Sequence, residues 1–309
     1  MKKAKIVMYH YVRPIENSTY PKIKGLEIKN FQRQIEYLDK KFGFADVNYI
    51  LENTKLETKK EQFPAILTFD DGFKDHYRYV FPVLKNYAIR GLFFPPAKPI
   101  MEKIVLDVHK IHFILAKIDD KSEIIRDIFD QIDFYRKDYE IEKSEELWKR
   151  LAISTRFDSG DTMFIKRILQ RELPQKIRYL ITNYLFDKYV TSDESEFSEE
   201  LYLSLDEIDE MRESEMYFSS HSYSHEWLSY LSSENLEIEI KKSLNFCNKI
   251  NPNGKQIMCY PYGNYNELVV EKLIKNGFAA GLTTVIGDAD ITKETAFRLN
   301  RYDTNDFPQ

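Results

Sequence analysis

Two short segments constrain this chain more than anything else in it. Ala65–Phe69 is an apolar run that ends abruptly in Asp70-Asp71-Gly72, and His221-Ser222-Tyr223-Ser224-His225 sets two imidazoles four residues apart. A buried strand that stops at carboxylates belongs at the carboxyl edge of a parallel sheet, where α/β proteins gather their reactive groups. One carboxylate with two imidazoles is a donor set for a divalent transition metal that keeps positions open for water and substrate. The other carboxylate is then free to act as a base. That pairing points to metal-assisted hydrolysis and not to a binding site alone.

The rest of the chain alternates as such a sheet requires. Lys5–Val12 reads as a buried strand ended by Arg13-Pro14, and Asn30–Phe42 as a helix with a Phe31, Ile35, Leu38, Phe42 stripe and Asn30 as its cap. A helix over about 74–87 follows the two carboxylates, then a strand over Gly91–Phe94 closed by Pro95-Pro96. After residue 200 the alternation resumes: helix 206–212, strand 216–220, helix 233–250, strand 256–260, helix 268–276 closed by Gly277, and strand 279–284. Between them, residues 101–196 hold one glycine, Gly160, with dense charge and apolar residues at helical spacing. This stretch is expected to be an α-helical insertion with a mobile acidic loop around 192–200. It would serve either as structural cladding or as a lid or partner surface.

Composition narrows the setting. A net charge of −5 with basic residues spread along the chain excludes a nucleic-acid partner as the expectation. No run approaches the ~18 apolar residues of a membrane span. The basic N-terminus lacks a signal-peptide core, since Tyr9, His10 and Tyr11 interrupt its apolar run; the expected location is the cytoplasm. Cys247 and Cys259 form no disulfide framework by their spacing.

The Thr68-Phe69-Asp70-Asp71-Gly72 and His221–His225 motifs, with Tyr260-Pro261-Tyr262-Gly263 as a third, resemble those of the polysaccharide deacetylase superfamily. This group includes the nodulation-factor chitooligosaccharide deacetylases, carbohydrate esterase family 4. The resemblance covers residues 1–100 and 197–309 and leaves 101–196 outside it. It implies an α/β fold, an irregular (β/α)7-type barrel carrying the helical insertion. It also implies that Asp71 ligates the metal with His221 and His225, that Asp70 is the general base, and that the main-chain N–H of Tyr262 supports the oxyanion. The metal expected is Zn²⁺, with Co²⁺ or Ni²⁺ as alternatives.

Two departures from the family pattern matter. Many members carry a late histidine that protonates the leaving amine, but no histidine follows His225. His10, in Met8-Tyr9-His10-Tyr11, is the candidate replacement. In this it is similar to the bacterial poly-N-acetylglucosamine deacetylases, whose acid comes from the first strand; a histidine that packs or binds substrate is the other reading. Cys259 stands where many relatives have the arginine that orients the base. Arg301, Arg298 and Arg13 are the alternatives, with Arg301 preferred. Trp227, Tyr9, Tyr11 and Tyr262 are candidates to line a sugar pocket, with core packing as the competing reading. His76 is expected at the surface or as a cap, and His109 and His112, three apart and near Asp107, on a solvated helix face, with a second metal site as the other reading.

The function implied is metal-dependent removal of N-acetyl groups from an acetylated sugar or glycan precursor, in surface polysaccharide biosynthesis. The alternatives are an O-acetyl esterase or another sugar amidase or deformylase on the same fold, and a catalytically weak sugar-binding protein.

Overall fold

The computed structural model describes residues 2–52, 63–156 and 158–308. The strands are short and mostly buried: β1 Lys3–Tyr9, β2 Ala65–Asp70, β3 Leu92–Phe94, β4 Tyr217–Phe218, β5 Ile257–Cys259, β6 Ala280–Leu282, β7 Ala289–Asp290 and β8 Tyr302–Asp303. β1 pairs in parallel with β2 on one side and β8 on the other, and β2–β3 and β3–β4 are parallel too. β5 and β6 form a separate parallel pair. Single parallel bridges supply the missing joins, Ser220 with Met258 and Leu282 with Leu299. β7 lies antiparallel on the start of β1. This is a mixed α/β fold built on short parallel strands, with the β5–β6 pair linked to the larger sheet by single bridges.

The side chains sort by the period of two that a strand imposes. Ala4, Ile6, Ile66, Leu92, Phe94, Ile257, Cys259, Ala280, Leu282 and Leu299 form one buried cluster. Their neighbours Val7, Tyr9, Leu67, Phe69, Phe93 and Phe218 pack in another, with Phe31, Ile35 and Leu38 of the helix Ile28–Lys41. That helix starts earlier than its sequence suggests. Glu27 occupies the cap position, and Asn30 lies inside the first turn. The helix after Gly72 is wound wide over His76–Val80 before Phe81–Asn86.

The chain divides into two compact units. One comprises Met1–Pro14, Gly25–Ile104 and Ser198–Gln309; the other comprises Ile15–Lys24 and Val105–Phe197. Residues 15–24 thus cluster with the helical stretch, a grouping absent from the reading of 1–100 as one piece. The helices of the second unit lie in its stretch Val105–Phe197, with Asp107–Lys117, Lys121–Tyr135, Ser144–Leu151, Gly160–Arg167 and Gln175–Tyr189 as its main elements. The acidic loop expected around 192–200 is instead helix from Glu194 to Leu201. The Asp193 carboxylate accepts the Glu196 N–H at 2.9 Å, so the acidic run is a helix start and not a loop. Among the described residues no helix is long and apolar enough to cross a membrane.

Candidate metal centre and acid–base pair

An aromatic ladder levels the strand ends that carry the site. Tyr9 pairs with Phe69, Phe69 with Phe93, and Phe93 with Phe218 across β1 to β4. Their rings stack at 5.2, 4.7 and 5.3 Å with interplanar angles of 21°, 16° and 25°. Each such pair adds about 0.5–1.5 kcal/mol beyond the area it buries. One residue further along, the alternation turns the side chains to the other face. There His10 Nε2 lies 3.8 Å from Asp70 Oδ2.

Asp71 then leaves the strand in the left-handed region, φ +71°, followed by Gly72 at φ +62°. A Cβ on Gly72 would fall 2.6 Å from Pro95 Cβ, so only glycine fits this turn. Ser222, His225 and Tyr262 are left-handed too, at φ +62°, +60° and +57°. Strained backbone of this kind persists where the surroundings impose it, and here it gathers at the three motifs.

Asp71 Oδ1 lies 3.5 Å from His221 Nε2 and 3.4 Å from His225 Nε2. Donors about 2.1 Å from one shared ion stand roughly 3.0–3.4 Å apart in tetrahedral or octahedral arrangements, so the three fit a common centre. His221 Nδ1 donates to the Cys259 carbonyl at 2.7 Å, which fixes the tautomer and leaves Nε2 bare towards Asp71. Burial works against a charged His221, yet Cys259, Asp71 and Asp70 hold its pKa well above the usual value.

Among the described residues a second trio, Asp70, His221 and Cys259, also places donor atoms within 4.8 Å of one another. Its members are otherwise engaged. Burial pushes the Cys259 thiol up, so it remains a thiol whose S–H donates to Asp70 Oδ2 at 3.3 Å. Asp70 itself is held by Arg301, with Nη1 at 2.9 Å from Oδ1 and 2.8 Å from Oδ2. Arg301 also donates to Thr68 Oγ1 and the Thr283 carbonyl. Burial alone would raise the Asp70 carboxyl, but Arg301, then His221 and His10, bring it down to about 2. Asp70 is therefore an ionised carboxylate beside the donor trio.

The structure brings together Asp70, Asp71, His10, His221, His225 and Arg301. Arg298 pairs with Glu267 and Arg13 with Asp75, neither of them with Asp70. The Tyr262 ring meets His225 edge-on at 4.7 Å and stacks on Trp227 at 4.2 Å and 6°. Tyr9 is a correction: it is wholly buried between Phe31 and Phe69 and cannot line a sugar pocket, because the alternation that presents His10 turns Tyr9 into the core. His76 is another, since it is fully buried among Phe69, Phe73 and Phe93 and its Nε2 donates to the His10 carbonyl at 2.9 Å. His109 is buried as well, and it forms no donor trio with His112 and Asp107. Sequence reasoning missed Glu239, whose carboxylate binds the histidine loop. Its signal was present: a charged residue on the buried stripe of the helix Ser233–Ile250.

A family model described as polysaccharide deacetylase matches residues 149–281, a stretch that includes His221, His225 and Tyr262. No curated protein matches the chain. Among solved structures it is similar to the Streptococcus pyogenes deacetylase PplD in complex with acetate, at TM-score 0.59 and 17% identity over 97% of this chain and 92% of that one. It is also similar to IcaB from Ammonifex degensii, at TM-score 0.55 and 17% identity over 97% and 91%. A third is the de-N-acetylase from Aggregatibacter actinomycetemcomitans, at TM-score 0.52 and 13% identity over 98% and 96%. At these identities the likeness is one of fold. The family-model match adds that residues 149–281 are similar to polysaccharide deacetylases.

Proposed function

We propose that the protein is a divalent-metal-dependent hydrolase that removes N-acetyl groups from an acetylated sugar or glycan precursor of surface polysaccharide. The observation that carries this reading is the convergence of Asp71, His221 and His225 beside a carboxylate, Asp70, that Arg301 holds and His10 faces. The three residues would hold Zn²⁺, Co²⁺ or Ni²⁺, and such an ion supplies Lewis-acid polarisation of a carbonyl and a more acidic water.

The chain's own residues divide the rest of the work. Asp70, ionised and fixed in place, accepts the proton of the attacking water. The His10 side chain is 41% exposed on its open side and can reach a sugar nitrogen. It donates the proton without which an amine is a poor leaving group. The Tyr262 main-chain N–H is assigned to the developing oxyanion, and the Trp227–Tyr262 stack offers an apolar wall to a sugar ring. The Streptococcus pyogenes neighbour is described with acetate, the small product such a reaction releases.

The test is acetate release from a panel of N-acetylated oligosaccharides and sugar nucleotides, measured by mass spectrometry on chelator-stripped protein before and after adding Zn²⁺ or Co²⁺. Release that needs the metal is the expected result. Absence of release from every substrate by metal-loaded protein, or release indifferent to chelation, would overturn the proposal.

A further inference from the structure

The loop that carries both imidazoles is held from two sides. Ala97 and Lys98, opening the helix Ala97–Glu102, donate their main-chain N–H groups to the carbonyls of Ser222 and Tyr223 at 3.3 and 2.8 Å. On the other side stands Glu239, from the inner face of the helix Ser233–Ile250. Its Oε1 accepts the N–H of Tyr223 at 2.9 Å and of Ser224 at 2.6 Å, and its Oε2 accepts the Ser224 hydroxyl at 2.8 Å. One turn on, the hydroxyl of Ser243 meets that of Ser220, whose Oγ accepts the Ser222 N–H at 3.1 Å. Within the loop, Ser222 Oγ accepts the His225 N–H at 3.0 Å.

Glu239 is 7% exposed, and its hydrogen bonds all go to this loop. A buried carboxylate is costly unless oriented donors meet it, so its placement is specific to the loop conformation it stabilises. That conformation is strained, with Ser222 and His225 both left-handed. The strain has a geometric result: the two Nε2 atoms converge on Asp71 Oδ1 although their backbones are four positions apart.

We propose that Glu239 is a positioning residue for the metal centre. It pre-forms the His221–His225 loop, so that the donors converge before an ion arrives, and it thereby sets metal affinity. The proposal rests on the metal-dependent reading above and goes beyond it in naming what organises the ligands.

The experiment measures Co²⁺ and Zn²⁺ dissociation constants of the full-length, metal-stripped protein by competition with a chromogenic chelator, together with the visible absorption of bound Co²⁺. E239A is expected to weaken binding about 10–100-fold and to alter the Co²⁺ band, the scale seen when partners of metal-ligating groups are removed. E239Q should keep most of the affinity: its amide oxygen can accept both main-chain N–H groups, and its NH2 can donate to Ser224 Oγ. Should E239A fail to fold, E239D serves instead, being charged but one methylene too short, and is expected to lose affinity in the same direction. Wild-type affinity and an unchanged Co²⁺ band in E239A or E239D would overturn the positioning role, even if unfolding of the metal-free variant shifted to lower temperature. Wild-type protein that binds neither ion would overturn the reading of the centre itself, an outcome distinguishable from the first.

Discussion

Arg301 Nη1 lies 2.8 Å from Asp70 Oδ2 and 2.9 Å from Oδ1, with the two side chains only 1% and 2% exposed. The base candidate at the end of β2 is thus held by a guanidinium 231 residues away in sequence. Because both charges are buried, removing one leaves the other uncompensated, a loss of about 3–5 kcal/mol.

The pair leaves a signature at low pH. The folded-state pKa of Asp70, about 2, lies below its ordinary 3.8. The unfolded chain therefore binds the proton more readily. The stabilisation, about 2 kcal/mol, is complete above about pH 4 and is lost as pH falls through 2. In R301Q the burial that raises Asp70 loses its main opponent, so the acid-side fall should flatten while overall stability drops. Urea unfolding of the metal-free proteins between pH 3 and 6 checks both effects. A parallel pH dependence in the two proteins would show that Arg301 does not govern Asp70.

Asp70 and His10 should separate from the metal donors in their effects. D70N and H10A are each expected to retain a full complement of metal while lowering the rate about 10²–10⁴-fold. Metal content by elemental analysis beside acetate release decides the matter. If metal content falls in H10A, His10 is a ligand and the acid lies elsewhere.

His76 predicts a second pH window. Burial lowers its pKa from 6.5 to about 4 against the hydrogen bond to the His10 carbonyl, which raises it. Between those values the unfolded chain is protonated at this position and the folded one is not. Stability should therefore fall as pH drops from about 6.5 to 4, by up to about 3 kcal/mol from this residue. H76Q keeps a donor but cannot titrate. Its loss of stability between pH 7.5 and 5 should be smaller than that of the wild type.

Tyr9 offers a test of the aromatic ladder. Its hydroxyl is buried and has no hydrogen-bond partner among the described residues. Y9F should therefore be neutral or stabilising by about 1 kcal/mol, with kcat and KM unchanged. A raised KM at unaltered stability would return Tyr9 to the substrate pocket.

Much of this molecule was legible because its signals are local. A period of two marks β1 and β2, a period near 3.6 marks the helix Ser233–Ile250, and the carboxylate and histidine motifs stand at strand ends. What was misread depended on register or on distant partners. The acidic run at 194–201 is helical through its Asp193 cap, a feature obscured by its charge. The sequence offers both Tyr9 and His10 to the site, although neighbours on a strand point to opposite faces. Only the pairing of Tyr9 with Phe69 shows which one enters.

The sequence by itself determined the parallel α/β architecture, the helical stretch and the carboxylate and histidine motifs, because each is written in residues a few positions apart. The tertiary structure alone decided that Arg301 holds Asp70, that His10 faces it and that Glu239 holds the histidine loop. Those contacts form where β1 pairs with β8, from opposite ends of the sequence, and where a helix packs on the loop before it. No local pattern encodes such contacts. They depend on the register of the strands and on helix packing.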